Sequence, residues 1–389
     1  MKKPYKTALF LTLAVLLCTG AVWGASALLR AKPAARVSAA GASAGGSSSG
    51  GAGSDILNLL PSSSQCFAST SSASSSSSSA AQTNSFELIP DFFSASVGYV
   101  EVNRDFTNGA VSQYLLYTED GGKTWGLRSR EDSSRLSQLS FVSAQVGYEA
   151  RVSASGAYTL VKTTDGGAAW KPVSTLPQLP ISDLHTVGKS TVYVESSSDT
   201  GASRLLRSSD GGGTWADVAL PAWPKSNLPG ARMQISSSWV SPSQGYLLEL
   251  GGGGMGSTEK ALFATDNGGR SWTLRADALF NDASGGRADS LPLSGTAVLS
   301  AFFPDGTGYL PNAGGLVRTS DGGGHFMTIF GGNYGFPVLS NACFYSASGG
   351  FAVLGQENGE TDLSRTSDGG RTWKTVVTLA ELAKLPGLR

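Results

Sequence analysis

Histidine is almost missing from this chain: its 389 residues contain two, His185 and His325. Metal centres built on several imidazoles, and Ser–His or Cys–His catalysis, therefore have little to draw on, and no metal or cofactor is expected. Cysteine is nearly as scarce. Cys18, Cys66 and Cys343 form no CxxC pair, which disfavours zinc and thioredoxin-like redox chemistry. A Cys66–Cys343 disulfide is open to an exported protein, but two positions alone do not establish one. Charge is also low, at 15% of residues against roughly 25% in an average globular chain. The 29 basic residues balance the 29 acidic ones, so there is no net field to grip phosphate and no nucleic-acid partner is expected.

Small residues are abundant. The chain holds 51 glycines, and serine dominates its N-terminal fifth. Residues 1–6 form a short basic N-terminus carrying Lys2, Lys3 and Lys6, succeeded by an apolar run over residues 7–29. That length spans a bilayer with some tilt and reads as a transmembrane anchor. The competing reading is a cleaved signal peptide, because Ala25-Ser26-Ala27 fits the small-x-small cleavage pattern. Either way the basic residues ahead of the run favour export of the remaining chain. The expected location is thus membrane-anchored with the folded part outside the cytoplasm, at the cell surface or in the periplasm, or secreted if the run is cut. Residues 30–85, rich in Ser, Gly and Ala, bury too little apolar surface to offset chain entropy and read as a disordered linker.

From residue 86 to 389 one phrase organises the chain: TEDGGKTW at 118–125, TTDGGAAW at 163–170, SSDGGGTW at 208–215, TDNGGRSW at 265–272, TSDGGGHF at 319–326 and TSDGGRTW at 366–373. The closing aromatics Trp125, Trp170, Trp215, Trp272, Phe326 and Trp373 are 45, 45, 57, 54 and 47 residues apart, the length of a four-stranded propeller blade. Asp120, Asp165, Asp210, Asn267, Asp321 and Asp368 can each accept backbone N–H bonds two residues on and close an Asx-type turn. The adjacent Gly-Gly supplies positive φ, and the aromatic opens the outgoing strand. One carboxylate per turn is far short of the six to eight oxygens calcium prefers.

A second phrase precedes five of the boxes: a strand, a small-residue turn, then glycine and an aromatic, as at Gly98-Tyr99, Gly147-Tyr148, Gly245-Tyr246, Gly308-Tyr309 and Gly350-Phe351. The third copy, around Tyr193, is degenerate. With one more strand before each box, every repeat holds four strands, and the expected fold is an all-β, six-bladed β-propeller.

The boxes match the BNR/Asp-box signature, S/T-x-D-x-G-x-T/S-W, over essentially all of residues 86–380. With the Gly-aromatic strands and the T-x-DGG-x-TW form of the box, the chain most resembles the bacterial photosystem II stability/assembly-factor-like group. That resemblance implies an extracytoplasmic, non-catalytic propeller that binds other proteins; photosynthetic members commonly carry seven blades, so seven is the alternative count. Asp-box propellers also include sialidases and xyloglucanase-type glycosidases, which makes carbohydrate the alternative ligand. A sialidase-like Phe/Tyr-Arg-Ile-Pro phrase is not supported, because Leu88 precedes Ile89-Pro90 where the arginine should stand.

A glycosidase of another kind would need two facing carboxylates. Asp91, Glu101, Glu149, Glu195 and Glu249 are candidates, expected to be solvated strand-end acids. A binding function points instead to the position just before each box, occupied by Lys162, Arg207, Arg318 and Arg365, with Tyr117 and Ala264 in the other two repeats. On equivalent blades these cations form a partial ring at one radius, suited to an acidic partner segment. The plainer reading has their stems packing between blades. A protein partner is therefore expected, with the membrane reached through residues 7–29.

Overall fold

The computed structural model describes residues 65–67 and most of 85–388, excepting 106–110, 134–137, 154–155, 178–180, 197–202, 225–233, 255, 281–288 and 332–336. The apolar run at 7–29, Cys18 and most of the 30–85 linker lie outside the described residues. Among those described, no helix is long and apolar enough to cross a membrane.

Six antiparallel sheets succeed one another along the chain, each made of four consecutive strands. The first comprises Ser85–Phe92, Gly98–Asp105, Val111–Thr118 and Gly126–Ser133, and the last Val338–Phe344, Gly350–Gly355, Thr361–Thr366 and Lys374–Thr378. These are the six blades of a propeller. No blade borrows one of its four strands from the far end of the chain. One extra strand, Gln65–Phe67, within the stretch read as linker, pairs antiparallel with the first strand of blade six and sets Cys66 opposite Cys343. Cys343 is disulfide-bonded.

The apolar core is distributed around the ring rather than gathered at one centre. Six clusters of buried side chains each straddle one seam between neighbouring blades. Their most regular element is a stacked aromatic pair joining the second strand of one blade to the first strand of the next. Tyr99 stacks on Phe141, Tyr193 on Trp239, Tyr246 on Phe302, Tyr309 on Phe344, and Phe351 on Phe92, with ring centroids 3.5–4.0 Å apart. Such pairs contribute about 0.5–1.5 kcal/mol beyond the area they bury.

This explains the Gly-aromatic phrase. The first-strand aromatic lies against the glycine opposite it, and a Cβ at Gly98 would sit 2.4 Å from Phe92. Blade three shows the converse. The register places Thr186 and Val192 where the other blades have the aromatic and the glycine, and that seam is joined by a 2.9 Å hydrogen bond between the Ser140 and Thr186 hydroxyls.

The ring is sealed at the seam between blades six and one. A short helix, Leu379–Leu382, begins at a Thr378–Glu381 capping box. Its Leu382, with Leu388, joins the cluster containing Leu88, Phe92 and Phe351.

Candidate functional site

The six boxes share one geometry. In the first, Thr118 Oγ1 accepts from Gly122 N and donates to Asp120 Oδ1, which also accepts the backbone N–H of Thr124; Asp120 Oδ2 accepts from the Thr124 hydroxyl. The backbone donor is four residues on, not two as the sequence suggested, because the two glycines, at φ of 75° and 89°, turn the intervening chain outward. These hydrogen bonds hold the Asp120 carboxyl down at about 2. Asn267 reproduces the arrangement, its Oδ1 accepting from Ser271 N and its Nδ2 donating to Ser271 Oγ. Box glycines also donate to the turn between the first and second strands in every blade, as Gly121 N does to Ser96 O and Gly369 N to Ser348 O. Both turns therefore lie on the same disc face.

The cations before the boxes sit on that face. Lys162, Arg207, Arg318 and Arg365 lie directly opposite Tyr148, Tyr193, Tyr309 and Phe351 on the neighbouring strand. Three of them lie 5.0–6.0 Å from the aromatic centroid, and Arg318 donates to Thr307. The two blades without a cation at this position supply one from the fourth strand. Arg128 lies 4.3 Å over Tyr117, and Arg275 donates to the carbonyls of Gly322 and Asp321 in the next box. The sequence pattern missed these two because they sit after the box. Among the described residues none of the six forms an ion pair with a carboxylate. Each of the six blades thus contributes one cation beside its box that, among the described residues, has no carboxylate partner.

The acids flanking the Gly-aromatic strands are not solvated. Asp91, Glu101, Glu149, Glu195 and Glu249 are all buried; the four glutamates stand on second strands, both faces of which are covered by adjacent blades, and Asp91 stands at the end of a first strand. Asp91 Oδ2 accepts the N–H of Phe141 across the first seam. Glu101 and Glu149 line one small pocket between blades one and two with Gln113, Tyr114, Glu131 and Trp170. Burial pushes the Glu101 carboxyl up to about 8, aided by the charge of Glu149 and opposed by the hydrogen bond that Gln113 donates. Arg151 pairs with Glu149 at 3.0 Å and with Glu131.

The fourth and fifth repeats, the longest at 57 and 54 residues, use part of their extra length internally. Lys260 is fully buried, and the three N–H groups of its Nζ are shared among the carbonyls of Thr258, Pro292, Leu293, Ser294 and Gly295, which lie 2.7–3.2 Å away. Trp239 is core, and Trp223 covers Gly251.

The family described as Photosynthesis system II assembly factor YCF48 matches residues 76–220, the stretch that ends with the third blade. The chain is a BNR-type propeller resembling that assembly-factor group. Among solved structures, "YCF48 bound to D1 peptide" is 19% identical, covering 76% of this chain and 82% of that one at a TM-score of 0.40. YCF48 from Cyanidioschyzon merolae is 16% identical, covering 71% and 80% at 0.38. The GH93 α-L-arabinofuranosidase of Fusarium graminearum, in complex with arabinobiose, is 10% identical, covering 69% and 89% at 0.45. No curated protein matches.

Proposed function

We propose that this propeller is a non-catalytic binding and assembly module held outside the cytoplasm, tethered by residues 7–29, which receives an acidic segment of a protein partner on its Asp-box face. The observation that carries this reading is the ring of six cations that, among the described residues, have no carboxylate partners. Packed against aromatic rings and turns, these side chains give up little further rotamer freedom on binding, and fixed positive charge steers an acidic segment toward the disc. The match to an assembly-factor family supports the same reading.

The test is affinity capture from membranes by the full chain, against a variant in which Lys162, Arg207, Arg318 and Arg365 are all replaced by glutamine. A specific protein captured by the first, lost from the second and released by moderate salt is the expected result. Equal capture by the variant, with its melting temperature unchanged, overturns the proposal.

A second reading, an Asp-box glycosidase, is favoured by one observation: Glu101 and Glu149 line the same pocket, Glu101 raised to about 8 and Glu149 paired with Arg151. Hydrolysis of aryl glycosides that disappears in Glu101→Gln would establish it in place of the first.

A further inference from the structure

His185, one of only two histidines, lies in the seam between blades three and four. It sits on the first strand of blade three, Ile181–Val187, two residues from Asp183, whose partner across the ladder is Glu195. The ligand atoms of the three residues fall within 4.8 Å of one another, and all three side chains are buried. His185 Nε2 is 3.2 Å from Glu195 Oε1 and 3.5 Å from Asp183 Oδ2. We infer that Asp183, His185 and Glu195 form a binding site for a divalent first-row transition ion such as zinc.

Three observations carry the inference. The first is charge. Two carboxylates face one imidazole, and among the described residues neither Asp183 nor Glu195 has a lysine or arginine ion-pair partner. A dry interior tolerates such an excess poorly. A divalent ion beside a neutral imidazole brings the cluster to zero. The second is the allocation of hydrogen bonds. Asp183 Oδ1 accepts from Leu184 N, and Glu195 Oε1 accepts from both the amide and the hydroxyl of Ser237, at 2.6 and 2.5 Å. The other oxygen of each, Asp183 Oδ2 and Glu195 Oε2, has no hydrogen-bond donor among the described residues. One oxygen held by the protein and one left for the ion is how ligating carboxylates are oriented, and Trp239 Nε1 in turn fixes the Ser237 hydroxyl. The third is spacing. Ligands about 2.0–2.2 Å from a tetrahedral ion lie roughly 3.3–3.6 Å from one another, which the 3.5 Å between His185 Nε2 and Asp183 Oδ2 matches. Mixed nitrogen and oxygen donors suit zinc, cobalt or manganese better than calcium or magnesium. No metal was expected from sequence because two histidines cannot build a site alone; here one suffices because the fold adds two acids.

The experiment is titration calorimetry of the EDTA-treated, dialysed full chain with zinc chloride and with cobalt chloride. It is accompanied by the visible spectrum of the cobalt form and by anomalous scattering from zinc-soaked crystals. The expected result is one ion per chain at micromolar affinity or tighter, a cobalt spectrum of low coordination number, and an anomalous peak among Asp183, His185 and Glu195. Asp183→Asn and His185→Gln should each weaken binding by at least about tenfold. The spectrum and the peak are read on the unsubstituted chain, so they decide the matter even if the variants do not fold. Absence of saturable binding, a peak elsewhere, or unchanged affinity in folded variants overturns the inference.

Discussion

Phe351 in the last blade stacks on Phe92 in the first, with centroids 3.5 Å apart and ring planes 14° from parallel. Two residues 259 positions apart thereby repeat the contact that Tyr309 makes with Phe344 one blade earlier. Ring closure uses the same side-chain chemistry as every other stacked seam. With no blade strand supplied from the opposite terminus, closure depends on that stack, on the packing of Leu382 and Leu388, and on the strand at Gln65–Phe67.

Phe351→Ala should therefore lower unfolding free energy by about 3–5 kcal/mol, as large-to-small changes at buried aromatics do. Gly98→Ala should cost about 1–3 kcal/mol by overpacking against Phe92. Placing Gly98→Ala together with Phe92→Ala should cost less than the sum, since the truncated ring leaves room for the new methyl. Calorimetric melts of Phe351→Ala, of the two singles at residues 92 and 98, and of their double check these statements. Strict additivity would contradict the assigned contact.

The Asp boxes predict a different sensitivity. Asp120→Asn should leave the melting temperature nearly unchanged, because Asn267 already closes the fourth box with its amide oxygen. Asp120→Ala should lower it by a few degrees, since Thr124 N and the Thr118 and Thr124 hydroxyls lose their common acceptor. Parallel thermal scans separate the two.

Glu101 makes stability depend on pH. Its carboxyl is raised from 4.5 to about 8 by burial, so the folded state holds a proton that the unfolded chain has released over that interval. The stabilisation is full below about pH 4.5 and is lost as pH rises toward 8, at a slope of up to about 1.4 kcal/mol per pH unit. Glu101→Gln preserves an acceptor for Gln113 and should reduce the slope by about one proton between pH 5 and 8. Urea unfolding across that range measures it.

Lys260→Met should destabilise by roughly 3–5 kcal/mol, because it strands five carbonyls that now accept from one ammonium. Burial presses that ammonium down to about 7. Hydrogen exchange should accelerate at Gly295, whose amide bonds to Gly256 within the same arrangement. Retained protection there would place the support elsewhere.

The hairpins, the blade count and the four-strand rhythm were legible because they are local: Asp120, Gly121, Gly122 and Trp125 lie within six residues, and each obeys its own turn chemistry. Contacts between repeats could not be read. The pairing of Tyr99 with Phe141 is encoded in two strands that look alike in every blade, and nothing in either marks the other. The burial of Glu101 and Glu195 was missed for the same reason. The sequence reads them as solvated strand-end acids, but in a propeller both faces of a second strand are covered. Arg128 and Arg275 escaped because the cation recurs before the box in the other four repeats, while the space above Tyr117 and beside Tyr246 can be reached from the strand after it. The trio around His185 combines a first-strand histidine with acids from two strands and becomes visible only when the ladder register is known.

Because every sheet is one uninterrupted stretch of chain and most seams join equivalent positions, a whole repeat can be duplicated or deleted by a single genetic event without inventing a new kind of joint. Blade number is then an easily varied parameter of this architecture, and relatives that differ in it need not differ in how their neighbouring blades adhere.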